Sequence, residues 1–186
     1  MEPSDTEVLD RAIQGDPEAF SMLYERYVKR IYNYIYYRTG NPSDAEDLTE
    51  RVFHRVFGHI QTYNNRGVPF SAWLYRIAHN LVANWHRDNS RRKEVPLDDR
   101  VMTHDQRIHL EIDLVRSQEK DSLLRMIRTL PEERQQLLIL KFVEHLSNQE
   151  VAAIMGRSEG AIKSLYHRTL LSLREELDKI GYVKGA

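Results

Sequence analysis

At 186 residues, with no cysteine and a formal net charge of −1, the chain can form one domain or two small ones, and it excludes disulfides, thiolate metal sites and thiol redox chemistry. It contains no apolar run long enough to span a bilayer and no basic-then-apolar leader, so no membrane insertion is expected and the cytoplasm is the expected location. Of the eight histidines, His54 and His59 are five apart and His79 and His86 seven apart; none makes an H-x-x-x-H pair, and no metal or other cofactor is expected.

The predicted elements are helical throughout. Ser4 and Glu7 have capping-box spacing ahead of Val8, Leu9, Ala12 and Ile13. Asp16-Pro17 opens a second helix, because aspartate caps and proline suits the first helical position. Its apolar stripe is Phe20, Leu23, Tyr24, Tyr27, Ile31 and Tyr34, and it stops at Thr39-Gly40. Asn41-Pro42 repeats the signal for a third helix. There Ala45, Leu48, Val52, Val56 and Ile60 point one way, while Asp44, Asp47, Glu50, Arg51 and His54 point towards solvent or a partner. After the polar stretch TYNNRGVP, a fourth helix begins near Phe70, with Phe70, Trp73, Leu74, Ile77, Leu81 and Trp85 as its apolar face.

Residues 94–118 have weak periodicity, a proline and several acidic side chains, and read as a flexible linker. A helix with Leu123, Leu124, Ile127 and Leu130 follows, and Pro131-Glu132-Glu133 restarts the chain into RQQLLILKFVEHLS. The expected fold is therefore all-α: two small helical domains, 1–93 and 119–186, joined by the linker.

Residues 146–168, LSNQEVAAIMGRSEGAIKSLYHR, carry the densest local signals. Ser147 and Glu150 form a second capping box, Leu146 can staple against Val151, and Gly156 suits the left-handed position that ends a helix. Ser158 can cap the next helix, in which Ile162, Tyr166, Thr169 and Leu173 share one face. Lys163, Ser164, His167 and Arg168 occupy the other, with Arg157 and Ser158 at the turn. Two helices joined by a Gly-containing turn make a helix-turn-helix, whose second helix can enter the major groove of DNA.

The small net charge hides alternating blocks. Residues 1–50 hold five Lys and Arg against eleven Asp and Glu, and residues 51–95 hold eight against two; the next stretch to 133 is acidic again and the remainder mildly basic. A basic block suits phosphate binding, and an acidic neighbour opposes indiscriminate DNA binding. The basic block includes the polar side of the fourth helix, with Arg76, Asn80 and Arg87 flanked by Tyr75, His79 and Asn84. Cations for phosphates, amides for base edges and rings for stacking suit a strand whose bases are being exposed. In the preceding loop Asn64 and Asn65 each offer a donor and an acceptor that suit a base edge.

Four segments, DPEAFSMLYERYVKRIYNYI, DAEDLTERVF, FSAWLYRIAHNLVANWHR and LPEERQQLLILKFVEHLSNQEVAAIMGRSEGAIKSLYHR, resemble in order and spacing a bacterial RNA polymerase sigma factor of the extracytoplasmic-function group. The resemblance implies region 2 within 1–93 and region 4 within 119–186. It implies docking of Asp44, Asp47, Glu50, Arg51 and His54 on the clamp coiled coil of the polymerase largest subunit, with a further polymerase contact at the flap. It also implies −10 promoter contacts from Asn64, Asn65, Arg66, Tyr75, Arg76, His79, Asn80, Asn84 and Arg87. Arg157, Ser158, Lys163, Ser164, His167 and Arg168 would contact the −35 element. The linker would thread near the active-site channel, and an anti-sigma factor or other regulator is an expected partner.

Some positions depart from that family's pattern. Arg51 stands where an acidic residue is usual, and Leu165, Leu170, Leu171 and Ser172 replace basic residues, which implies a −35 contact that is weaker or more apolar. A repressor or response-regulator output domain would also use a helix-turn-helix but leaves residues 70–93 unexplained. A nuclease would need a catalytic constellation, and the acidic cluster at 44, 46, 47 and 50 lies on a docking face instead, so no enzymatic activity is expected.

Overall fold

The computed structural model describes residues 3–64, 69–93 and 126–179. Asn65, Arg66, the linker at 94–118, and Leu123 and Leu124 lie outside the described residues. Among those described the fold is all-α, with no strand.

The N-terminal body is built from α1 (Asp5–Ile13), α2 (Pro17–Thr39), α3 (Pro42–His59) and α4 (Phe70–Lys93), with a short 3-10 turn at Ile60–Thr62. Local chemistry sets each start. The Ser4 hydroxyl accepts from the Glu7 amide while Glu7 accepts from the Ser4 amide. Asp16 accepts from the amides of Glu18 and Ala19, and Asn41 from those of Ser43 and Asp44. These caps satisfy amides that a helix start leaves without partners. Gly40 closes α2 with φ of 74°, a conformation that strains any residue with a Cβ.

Helix α2 is the spine: α1, α3 and α4 all pack on it. Leu23, Tyr27, Ile31, Tyr34 and Ile35 meet Ala45, Leu48, Val52 and Val56 of α3 and Phe70, Leu74, Ala78, Leu81 and Val82 of α4. Each fully buried Leu or Ile contributes about 1.5–3 kcal/mol relative to exposure. The α3 stripe is as its sequence predicts. Tyr24 of α2 is not in the core: it is 44% exposed, with its ring edge-on to Phe53. On α4 the buried face is rotated towards Ala72, Tyr75, Ala78 and Val82, leaving Trp73, Ile77 and Trp85 partly buried.

The C-terminal body contains a helical turn at 126–129, α5 (Glu132–Leu138) running into a π-helical turn at Ile139–Val143, α6 (Asn148–Met155) and α7 (Glu159–Lys179). Ser147 and Glu150 form the expected capping box, Gly156 ends α6 at φ 67°, and the Ala161 amide donates to Ser158 Oγ at 3.2 Å. Leu137, Leu140, Leu146, Val151, Ile154, Ile162 and Thr169 close the interior. Leu165 is also buried, at 7% exposure, because it follows Ile162 by three residues and returns to the same side. It is therefore packing, not an apolar DNA contact. Leu170 and Leu171 are exposed.

The two bodies touch. Helix α6 packs against α4, and the π turn packs against α2. Among the described residues no helix is long and apolar enough to cross a membrane.

Candidate nucleic-acid interface

The second helix of the helix-turn-helix is α7. Its start is fixed by Gly156, which turns the chain, and by Ser158, which caps it; Ile162, Leu165 and Thr169 anchor its inner side. Lys163, Ser164, His167 and Arg168 are left exposed on the outer side, and Arg157 and Ser158 are exposed at the turn. Lys163 pairs with Glu159 one turn earlier at 2.8 Å. Both partners are largely open, so the bond is weak and easily exchanged for a phosphate. Arg157 pairs with Glu133 of α5. The outcome is an exposed ridge of cations and hydroxyls.

A second polar surface lies where the 3-10 turn meets α4. Arg55, His59, Tyr63, Asn64, Trp73 and Arg76 surround an open cavity of about 530 Å³, within the size range that accepts a planar heterocycle. Tyr63 and Trp73 lie 4.7 Å apart between ring centroids, and Phe70 supports both rings. Asn64 is exposed at the rim. Burial, partly offset by the Arg76 charge, pushes the Tyr63 phenol above its ordinary value, so the ring stays neutral.

Along α4, Arg76, Asn80 and Arg87 are exposed and His79 and Asn84 half-buried. Arg87 donates to Asn84 Oδ1 at 2.9 Å. Arg76 reaches across to the C-terminal body, where Nη2 donates to Ala153 O at 2.6 Å and Nε to Ile154 O at 3.3 Å. His79 Nδ1 lies 2.9 Å from Arg38 Nη1. Burial and the Arg38 charge hold its pKa below the ordinary value, against the opposing pull of Glu132.

Tyr75 does not belong to this surface. It is fully buried, edge-on to Tyr34, and its hydroxyl donates to Glu144 Oε2 at 2.6 Å. A ring enclosed on all sides offers no face for a base, so the expected stacking role is withdrawn. Burial, with the Glu144 carboxylate beside it, pushes the phenol pKa well up.

Elsewhere on the N-terminal body, Asp47, Glu50, Arg51 and His54 are exposed on α3, and Asp44 is half-buried. Beside them lies a groove between α2 and α3 that the apolar stripes did not reveal. Phe20, Tyr24, Val28, Tyr32, Phe53 and Phe57 line it, and Glu46, Glu50, His54 and Lys29 stand at its edges. The signal in the sequence was Phe57, an aromatic residue off the core face of α3.

Residues 23–92 match the family Sigma-70 region 2, and residues 120–173 match Sigma-70, region 4. The chain is 37% identical over 167 residues to the ECF RNA polymerase sigma factor BldN of Streptomyces coelicolor, covering 90% of this chain and 63% of BldN. It is 31% identical over 182 residues to the ECF RNA polymerase sigma factor SigW of Bacillus subtilis, covering 88% of this chain and 91% of SigW. Among solved structures, CnrH in complex with the cytosolic domain of CnrY superposes with a TM-score of 0.72 at 19% identity, covering 94% of this chain and 97% of that one. The sigma factor RpoE, in complex with the anti-sigma factor NepR from Bartonella quintana, gives 0.63 at 20% identity, covering 86% and 96%. At these identities the two structures speak for the fold.

Proposed function

The chain belongs to the extracytoplasmic-function sigma factors of the sigma-70 family, alternative sigma factors that direct RNA polymerase to promoters and are not enzymes, and from that premise we propose how its surfaces divide the work. Residues 1–93 act as region 2 and 119–186 as region 4, with 94–118 as the connection. The α3 face of Asp44, Asp47, Glu50, Arg51 and His54, together with the aromatic groove beside it, docks on the clamp coiled coil of core polymerase, and region 4 meets the flap. Arg76, His79, Asn80, Asn84 and Arg87 follow the −10 strand. The α7 ridge of Lys163, Ser164, His167 and Arg168, with Arg157 and Ser158, reads the −35 element.

Charge supports this division: a chain with acidic and basic blocks and almost no net charge gains little from non-specific DNA attraction, so core polymerase supplies the missing affinity. A cytoplasmic location follows from that task. Its regulator is an anti-sigma factor or a protein of similar effect, by analogy with RpoE, whose solved complex contains one.

The observation that carries the −10 assignment is the cavity bounded by Tyr63, Asn64, Trp73 and Arg76. Its aromatic wall offers stacking worth ~1–3 kcal/mol per base, and the Asn64 amide supplies both a donor and an acceptor for a base edge. The test is transcription by core polymerase with the wild type or Asn64→Ala on templates with a randomised −10 element. A changed preference at one −10 position, with polymerase binding and −35 use intact, is expected. An unchanged preference removes Asn64 from base reading.

A further inference from the structure

We propose that His59 decides which bases the cavity beside α4 accepts: its ring favours adenine or cytosine, which carry an exocyclic amine, over guanine or thymine, which carry a carbonyl in its place. The proposal rests on the sigma-factor reading above and adds a second reader to Asn64.

His59 is the last residue of α3 and is exposed on the wall of the cavity. Its Nδ1 lies 2.9 Å from Arg55 O, one turn back. A carbonyl oxygen can only accept, so the proton of the neutral imidazole sits on Nδ1 and Nε2 keeps its lone pair. The nitrogen that remains for a ligand is thus an acceptor. The backbone around it is also fixed. His59 O accepts from Thr62 Oγ1 at 2.9 Å, and the Tyr63 amide donates to Ile60 O at 3.0 Å, which closes the 3-10 turn. Ile60, next in the chain, is buried. One closed turn therefore carries both the acceptor of His59 and the ring of Tyr63.

The other groups of the cavity do not discriminate in this way. Rotation about the last side-chain bond of Asn64 exchanges its amide oxygen and nitrogen, so it satisfies an amine or a carbonyl equally. Arg55 and Arg76, the charged groups lining the same cavity, donate only, and a charged phosphate oxygen outcompetes a base carbonyl for them. Every nucleotide brings that phosphate. The Thr62 hydroxyl has its proton committed to His59 O, and Tyr63 and Trp73 can stack on any base. An acceptor of fixed tautomer is different. N6 of adenine or N4 of cytosine donates to Nε2, whereas O6 of guanine or O4 of thymine sets lone pair against lone pair.

The test uses core polymerase with the full chain at about pH 8, above the ordinary imidazole pKa, on templates with a randomised −10 element, and the productive templates are sequenced. In the wild type, one −10 position should favour adenine or cytosine over guanine or thymine by about fivefold. His59→Ala should bring that ratio below about twofold, with −35 use unchanged, and His59→Lys, a donor in place of an acceptor, should shift it towards guanine and thymine. A role confined to closing α3 would instead lower activity on all templates alike. Should His59→Ala lose helix content by circular dichroism, His59→Lys decides. The amine itself is tested by placing purine for adenine, or pyrimidin-2-one for cytosine, at the selected position of the non-template strand. The wild-type holoenzyme should bind this strand about fivefold more weakly, and the His59→Ala holoenzyme should be indifferent to the change. A wild type without promoter-dependent transcription would remove the sigma-factor reading and this proposal with it. A transcribing wild type with no amine preference at any −10 position, a folded variant that keeps the wild-type preference, or equal loss with the analogue in wild type and His59→Ala overturns the assignment of His59 alone.

Discussion

Phe57 stands edge-on to Phe20, ring centroids 5.1 Å apart, and 64% of Phe57 is open to solvent. An exposed aromatic pair beside Tyr24 and Phe53, with Glu50 and His54 at its edge, is the usual composition of a binding hot spot: a central ring surrounded by polar groups.

Phe57→Ala should therefore change folding stability by no more than ~0.5 kcal/mol, because the ring is mostly exposed. The same change should weaken core polymerase binding by about 2 kcal/mol or more, as removal of a hot spot does. Asp47→Arg, on the polar part of this face, should give a folded protein that fails to assemble. Titrating labelled core polymerase with each variant measures both; normal assembly by Phe57→Ala and Asp47→Arg would mean that the face is merely solvated.

Acid should weaken the fold in two steps. Burial, then the Arg38 charge, depress the pKa of His79 and His86 below the ordinary 6.5, with Glu132 opposing. Below about pH 6.5 the unfolded chain therefore binds protons that the folded chain resists, and stability falls with pH. At Glu132 burial raises the pKa, but the hydrogen bond and charge of Arg38 outweigh it and leave the carboxyl below its ordinary 4.5. Its contribution is present above that value and is lost as the pH falls through the depressed one. Urea midpoints should fall between pH 7 and 5 and again below 4.5, and His79→Gln should reduce the first step. A wild-type midpoint that is flat from pH 7 to 5 contradicts this account.

Ser147 accepts from the Glu150 amide at 3.2 Å while Glu150 accepts from the Ser147 amide at 2.8 Å. Ser147→Ala removes the hydroxyl half of this cap and should cost about 1 kcal/mol. Because α6 supports α7, the loss should appear as a lower melting temperature and as faster hydrogen exchange in both helices. An effect confined to residues 147–150 would show that the cap does not stabilise the helix-turn-helix.

The helix starts were legible because their chemistry is local: Ser4 with Glu7, Asp16 with Pro17, Asn41 with Pro42 and Ser147 with Glu150 each lie within a few residues. The stripe of α3 was legible for the same reason. Tyr75 was not, since tyrosine suits either a base-stacking surface or a core, and its partner Glu144 lies 69 residues away. Tyr24 and Leu165 show the limit of periodicity. Each lies near the border of an apolar stripe, and only packing decides that Tyr24 faces a groove and Leu165 the interior. The π turn and left-handed His145 have no sequence signature, so the contact they help form between the bodies was invisible.

Two of the three leucines on α7 that stand where the family more often has basic residues, Leu165 and Leu171, should behave oppositely. Leu165 is 7% exposed inside the helix-turn-helix, whereas Leu171 is 48% exposed and follows His167 by four residues and Arg168 by three, on the same outer face. Leu165→Arg places a charge among apolar side chains without a partner, a change that should unfold region 4 or cost more than about 3 kcal/mol. Leu171→Arg should leave the melting temperature nearly unchanged and add one phosphate contact to the −35 complex. The dependence of log affinity on log salt should then steepen by about 0.9, while Arg168→Ala, if that side chain neutralises a phosphate, should make it shallower by a similar amount. Holoenzyme binding to a −35 duplex measured across a salt series reads both variants. Equal stability of the Leu165→Arg and Leu171→Arg proteins would refute the assigned orientation of α7, and salt slopes unmoved by both Leu171→Arg and Arg168→Ala would remove its outer face from the DNA.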